Sequence, residues 1–238
     1  MALVVLVALV GLALTGCSTD QAGEGTAGAQ VPPPAIEVSG DPAALSGAAD
    51  GSANSSSDID SVVMIGDSIT KGAAADLDER YALLGLDHLI EAENGKRMAV
   101  SSNGNPSGSA IAEFVAANGD GDHSDEVWVI ALGTNDVGQY EGPDDIAAAV
   151  NEILVAVPDE AALVWVDTYF RDRAADAEQV NTIIRERVER RGDSVVAPWT
   201  AFAADEGVLT GDGVHPTAAG ADVFAFVVTD TVRAFLDR

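Results

Sequence analysis

Val62-Val63-Met64-Ile65-Gly66-Asp67-Ser68-Ile69-Thr70 is the stretch from which the rest of the chain can be read. Its opening apolar run, flanked by polar residues, predicts a short strand buried on both faces. Gly66 permits a tight turn directly after that strand. Ser68 is thereby presented at the carboxyl end of a sheet, where open α/β folds bind their ligands. Two later segments supply matching groups. Gly133-Thr134-Asn135-Asp136 follows a second apolar run, Val127 to Leu132, and Asp212-Gly213-Val214-His215-Pro216 places an acid and an imidazole three residues apart. A hydroxyl nucleophile, a base, an acid to orient it and an amide donor are the groups that acyl transfer through a tetrahedral intermediate requires.

Outward from Ser68, strand and helix patterns alternate. Strands are expected at 61–65, 97–101, 127–132, 163–166 and 194–197. Helices are expected at 80–93, 109–117, 144–155, 175–191 and 217–236. The helix at 80–93 rests on the spacing of Leu83, Leu84, Leu86, Leu89 and Ile90, with Gly95 as its stop. Such alternation implies an α/β fold, a three-layer α/β/α sandwich around a mostly parallel sheet of about five strands. Ser68 and Asn135 then both fall at strand carboxyl ends.

The first 57 residues read differently. Ala2 to Leu14 is apolar and leads into Leu14-Thr15-Gly16-Cys17. The run is shorter than the roughly 20 residues of a membrane-spanning helix and reads as an export signal. Its ending resembles a bacterial lipobox, which implies lipidation at Cys17, the only cysteine in the chain. No Lys or Arg precedes the run, so Met1 need not be the true start. Residues 18–57, rich in Gly, Ala, Ser, Pro and Asp, read as a flexible tether. The expected organisation is a signal at 1–17, a tether at 18–57 and a catalytic domain at 58–238. The domain would be held by its lipid on the outer face of a bacterial membrane, or else be secreted.

The formal net charge is −27, and residues 58–238 hold 34 acids against 12 bases. That field opposes nucleic acid, anionic lipid surfaces and polyanionic substrates. A small ester or glycan ester is the expected partner, with no nucleic acid, and a monomer is expected.

Each polar residue singled out has a bland explanation by itself. Ser68 could cap a helix, Asn135 could serve a turn, His215 could be an exposed turn residue and Asp212 a solvated acid. Their joint occurrence changes the reading. Residues 58–238 resemble the SGNH hydrolases, the GDSL-type esterases and lipases. Gly66-Asp67-Ser68-Ile69-Thr70 is similar to that family's first block, Gly133-Thr134-Asn135-Asp136 to its third, and Asp212-Gly213-Val214-His215-Pro216 to its fifth. Gly104, in Ser102-Asn103-Gly104-Asn105, is matched to the second block, with Gly108 as its competitor. The resemblance implies a triad of Ser68, His215 and Asp212. It implies an oxyanion hole of the Ser68 and Gly104 N–H groups with the Asn135 side chain, and needs no cofactor or metal.

The implied activity is a serine esterase acting through an acyl-enzyme, with a short acyl ester on a neutral carbohydrate as the preferred substrate. A lipase, lysophospholipase or thioesterase, and a silent glycan-binding module, are the alternatives. His88 is expected to be structural within its helix. The acidic segment Asp120-Gly121-Asp122-His123-Ser124-Asp125 lacks the spacing of an EF-hand calcium loop. Asp67 and Asp136 are expected to satisfy turn backbone, and Arg185, Arg187, Arg190 and Arg191 to form a solvated helix face.

Overall fold

The computed structural model describes residues 59–119 and 121–237. The lipobox Cys17, the signal and the tether lie outside the described residues. Five parallel strands form one sheet: β1 (Ser61–Gly66), β2 (Asp87–Ala92), β3 (Glu126–Ala131), β4 (Ala162–Val166) and β5 (Ser194–Ala197), in the order β2-β1-β3-β4-β5. The helices are α1 (Ser68–Gly72), α2 (Ala74–Leu84), α3 (Gly108–Asn118), α4 (Pro143–Ala156), α5 (Ala174–Arg191), α6 (Thr200–Ala203) and α7 (Ala218–Leu236).

The two-residue period of the strands splits the core between two faces. Val62, Met64, Val127, Val129 and Val164 pack with Leu77 and Tyr81 of α2 and with Phe224, Val228 and Val232 of α7. Val63, Ile65, Trp128, Ile130 and Trp165 point the other way, against Ile146, Val150 and Ile153 of α4 and Val180, Ile184 and Val188 of α5. Burial on both faces explains why these strands read as continuous apolar runs.

The fold agrees with the expected three-layer class but moves one strand. Residues 87–92 are the edge strand β2, not the tail of a helix. Gly85 ends α2 with φ 76°; its N–H reaches Ala82 O, and the N–H of Leu86 reaches Tyr81 O. This left-handed cap turns the chain before the sheet. His88 therefore lies on β2, where Nε2 pairs with Asp78 at 2.7 Å. Residues 97–101 are not a strand. Met98 N–H donates to Asp136 and Met98 O accepts from Ser109 N–H, so this backbone is bonded to a side chain and to the start of α3.

From β1 the chain passes to β2 on one side and returns to β3 on the other. The switch point of the sheet lies between β1 and β3. Gly66 and Ala131 are direct register partners, so both strands end at the same level. Ser68 and Asn135 each follow one of these two ends. Gly66 has a steric reason to be glycine as well: a Cβ there would fall 2.0 Å from Thr70 Oγ1, so α1 can fold back closely only without it.

Candidate active site

Asp67 is the N-cap of α1, and Ser68 is its first residue. As a first-turn residue, Ser68 leaves its N–H without an intrahelical acceptor. The Ser68 hydroxyl lies 3.0 Å from His215 Nε2. His215 comes from the loop that ends in α7. A bridge between Leu209 and Pro216, with the Thr210 N–H bonded to His215 O at 2.8 Å, closes that loop. Thr217 fixes its exit by capping the Gly220 N–H at 3.0 Å and donating to Gly207 O at 2.7 Å.

Asp212 completes the relay. Its Oδ2 lies 2.7 Å from His215 Nδ1, while Oδ1 accepts from Thr210 Oγ1 and from the Val214 and His215 N–H groups at 2.8–3.0 Å. The bond to the imidazole is the largest influence holding this carboxyl far below its usual range, and the backbone N–H groups add to it. An acid fixed by this many donors orients Nδ1–H and leaves Nε2 free to accept the serine proton. The His215 and Asp212 side chains are about half exposed, at 49% and 50%, so the relay opens to solvent.

Asn135 lies on the Thr134–Asp136 turn after β3. Its Nδ2 donates to Asp67 Oδ2 at 3.0 Å and to Lys96 O at 3.1 Å. Both amide hydrogens thus have acceptors in the resting site. Asp67 is 1% exposed, and its other oxygen accepts from the Ile69 N–H at 2.9 Å. Burial pushes its pKa up to about 7, despite that N–H and the nearby His215. Asp67 thus satisfies turn backbone as expected, and in addition grips Asn135.

Asp136 ties the next loop to the site. Fully buried, it accepts from the Met98 N–H at 3.0 Å, Arg97 Nε at 3.1 Å and Tyr140 Oη at 2.7 Å. Burial raises its pKa and these donors oppose the rise. The loop after β2 is thereby held against Asn135.

The two glycines considered for the second block behave differently from each other. Gly104 occupies a hairpin tip. Asn103 (φ 53°) and Gly104 (φ 81°) are its central residues, and Ser102 and Asn105 exchange both backbone hydrogen bonds. A Cβ on Gly104 would have nothing within 4 Å, and among the described residues no hydrogen bond joins this tip to Ser68 or Asn135, although the Asn103 side chain lies over Gly95, 2.4 Å from where a Cβ would fall. The Gly108 N–H is bonded to Arg97 O at 2.8 Å. Gly95, read from sequence only as a helix stop, lies in a turn closed by Lys96 N–H to Glu93 O. Its φ of 73° is what position i+2 of a type II turn demands. Among the described residues the Gly95 N–H has no acceptor, and the next carbonyl is the one that Asn135 bonds.

The remaining histidine and three of the four arginines in the row have local partners, while the buried Nε of Arg187 has none among the described residues. His123 Nδ1 and Trp128 Nε1 both reach Glu126, and Asp122 accepts from the Ser124 N–H and hydroxyl. Among the described residues no three His, Cys, Asp or Glu side chains group as metal ligands. Arg185 and Arg190 pair with Glu178 and Glu186 on the helix face, whereas Arg191 folds onto the Pro158 and Ala161 carbonyls.

Comparison with known proteins agrees with this fold. No curated protein matches the sequence. Among solved structures, the catalytic domain of Streptococcus pneumoniae peptidoglycan O-acetyltransferase A is 21% identical (TM-score 0.55; 75% of this chain and 96% of that one). A Veillonella parvula member of the lipolytic protein G-D-S-L family is 16% identical (TM-score 0.56; 71% and 95%). A carbohydrate acetylesterase family member from Sinorhizobium meliloti is 16% identical (TM-score 0.55; 76% and 100%). At these identities the likeness is one of fold. The family model of the GDSL-like lipases and acylhydrolases matches residues 64–223, two thirds of the chain and every candidate active-site segment named above, and the protein belongs to that family of ester hydrolases.

Proposed function

We propose that the chain is an exported serine esterase that removes short acyl groups, acetyl above all, from a carbohydrate through an acyl-enzyme on Ser68. The observation that carries the reading is the continuous relay from Ser68 Oγ through His215 to Asp212. His215 takes the serine proton as Oγ attacks the ester carbonyl, then returns it to the departing alcohol. Water repeats the sequence on the acyl-enzyme. The Ser68 and Gly95 N–H groups stabilise the oxyanion with Asn135, one of whose amide hydrogens it shares with Lys96 O while Asp67 holds the other. Gly95 replaces Gly104 in this role because its loop is the one bonded to Asn135.

A short acyl group suits the surroundings. The cavity beneath the site, lined by Asp67, Ile69, Thr134, Asp167 and Trp199 among others, has a volume of about 10 Å³. That is room for about one water, and neither Ser68 nor His215 lines it, so the short-acyl preference rests instead on the sequence, in which residues 58–238 carry no long apolar insertion to hold an acyl chain. The half-exposed imidazole suits a bulky alcohol such as a sugar. The intact relay disfavours a silent glycan-binding module. Surface attachment through Cys17 belongs to the same proposal, and Cys17→Ser should abolish lipid labelling of the protein.

The decisive experiment combines a fluorophosphonate probe, read by mass spectrometry, with a series of p-nitrophenyl esters from acetyl to palmitoyl. Labelling at Ser68, loss of turnover in Ser68→Ala and rates that fall with acyl length are expected. Near-parental turnover by a folded Ser68→Ala variant would refute the mechanism, and a palmitoyl optimum would refute the short-acyl preference.

A further inference from the structure

We propose that Arg171 determines specificity by binding a carboxylate on the alcohol part of the ester, so that the preferred substrates are O-acyl esters of sugars carrying a single acidic group. The proposal rests on the esterase reading above and names the sugar it would act on.

Arg171 opens the short turn Arg171–Arg173 after β4. Its N–H donates to Gly213 O at 3.0 Å. Its side chain lies over Gly213: a Cβ built there would fall 2.7 Å from Arg171 Cβ and 3.4 Å from both Cδ and Cζ. Gly213 is buried while Arg171 itself stays exposed. Gly213 sits between Asp212 and His215, and two residues of chain span at most about 7.6 Å between Cα atoms. The Arg171 side chain is therefore packed on the loop that carries both Asp212 and His215. His215 must protonate the departing alcohol, so the alcohol part of the ester rests against that same loop.

The charge of Arg171 is free for a ligand. In a chain with 39 acids and 12 bases an unpaired guanidinium is unexpected. Among the described residues, Arg80, Arg97, Arg173, Arg185, Arg190 and Arg233 each pair with a carboxylate, Arg191 is folded onto two carbonyls, and of the two that have neither, Arg187 belongs to α5 and Arg171 to the turn beside the catalytic loop. Arg171 has no side-chain partner among the described residues. The acid beside it, Asp212, is occupied by Thr210, Val214 and His215. A guanidinium presents a planar fork of donors that matches a carboxylate. The net charge of −27 opposes a densely charged polymer and leaves a locally recognised single charge as the fitting ligand.

The test compares two substrates, an O-acetylated methyl glucuronide and the O-acetylated methyl glucoside, with p-nitrophenyl acetate as a control. The readout is the ratio of kcat/KM for the acidic ester over the neutral one. Because the ratio is internal to each preparation, partial unfolding of a variant does not move it. The parent should favour the acidic ester, the ratio should fall about tenfold in Arg171→Gln, and Arg171→Lys should lie between. A ratio unchanged by Arg171→Gln, a parent that does not favour the acidic ester, or turnover of neither sugar ester would overturn the role of Arg171. If the parent also failed on p-nitrophenyl acetate, the esterase reading itself would be lost.

Discussion

Asp67→Asn separates stability from activity at one position. Two donors face this buried carboxylate, the Ile69 N–H at 2.9 Å and Asn135 Nδ2 at 3.0 Å. Its pKa rises from 3.8 to about 7. A raised carboxyl pKa means that the fold disfavours the ionised form. The stability this group permits is fully present below about pH 4, declines between pH 4 and 7 and is level above. Three pKa units correspond to roughly 4 kcal/mol lost across that window. An asparagine does not ionise and removes the decline, but its NH₂ opposes one of the two donors, at a cost of about 1–3 kcal/mol. At pH 4.5 the variant should therefore be less stable than the parent by that cost. At pH 8 it should be equal or more stable. Activity should move the other way, because Asn135 loses part of its anchor, and kcat on p-nitrophenyl acetate should fall about tenfold or more with KM little changed. Urea unfolding at pH 4.5 and 8, with steady-state kinetics at pH 8, measures both. Equal destabilisation at the two pH values would show that Asp67 carries no shifted proton, and an unchanged kcat would show that it does not hold Asn135.

Other substitutions test the remaining groups. His215→Ala should be nearly as damaging as Ser68→Ala, with Asp212→Asn retaining more activity, and the double Ser68–His215 variant should lose little beyond either single one. Because Asp212 is held ionised well into acid whereas burial raises Asp67, Asp67→Asn should remove a proton from the acidic limb of the kcat/KM profile; a limb unchanged by that variant would show that the charge state of Asp67 does not reach the reaction. Asn135→Ala should lower kcat by about 10²–10³-fold with little change in KM, and a loss confined to KM would make it a binding residue instead. Gly104→Asn should leave kcat within about twofold, since Asn tolerates positive φ and a Cβ there meets nothing; a large loss of kcat in that variant would return Gly104 to the site.

Most of the fold could be read because most of its strands are buried on both faces. β3, β4 and β5 fall where their apolar runs place them, and α4, α5 and α7 carry the periodicity expected of helices packed on a sheet. β2 escaped because it is an edge strand. Its Asp87, His88 and Glu91 face solvent in part, and Leu86, Leu89 and Ile90 happen to continue the helical spacing of Leu83 and Leu84. The signal that marks the boundary is Gly85 between Leu84 and Leu86, a helix stop ten residues before Gly95. Residues 97–101 alternate like a strand, but their hydrogen bonds go to Asp136 and to the first turn of α3, partners that no local pattern encodes.

The site divides along the same physical line. Ser68, Asn135, Asp212 and His215 could be found because each is a reactive side chain in a short motif at a strand end or before the last helix. In the proposed site Gly95 contributes only a backbone N–H, and which N–H groups remain unused depends on how a turn closes, not on residue type. Asn103-Gly104 had its own local meaning as a hairpin turn, the pair best suited to two successive positive φ values, and that meaning accounts for Gly104 without any catalytic role. Asp67 could be seen as a helix cap, yet its second oxygen is committed to a residue 68 positions away. Arg171 likewise acquires its meaning only when the loop after β4 is laid against Gly213. Local chemistry therefore identified the groups that react, and long-range packing identifies the groups that aim them.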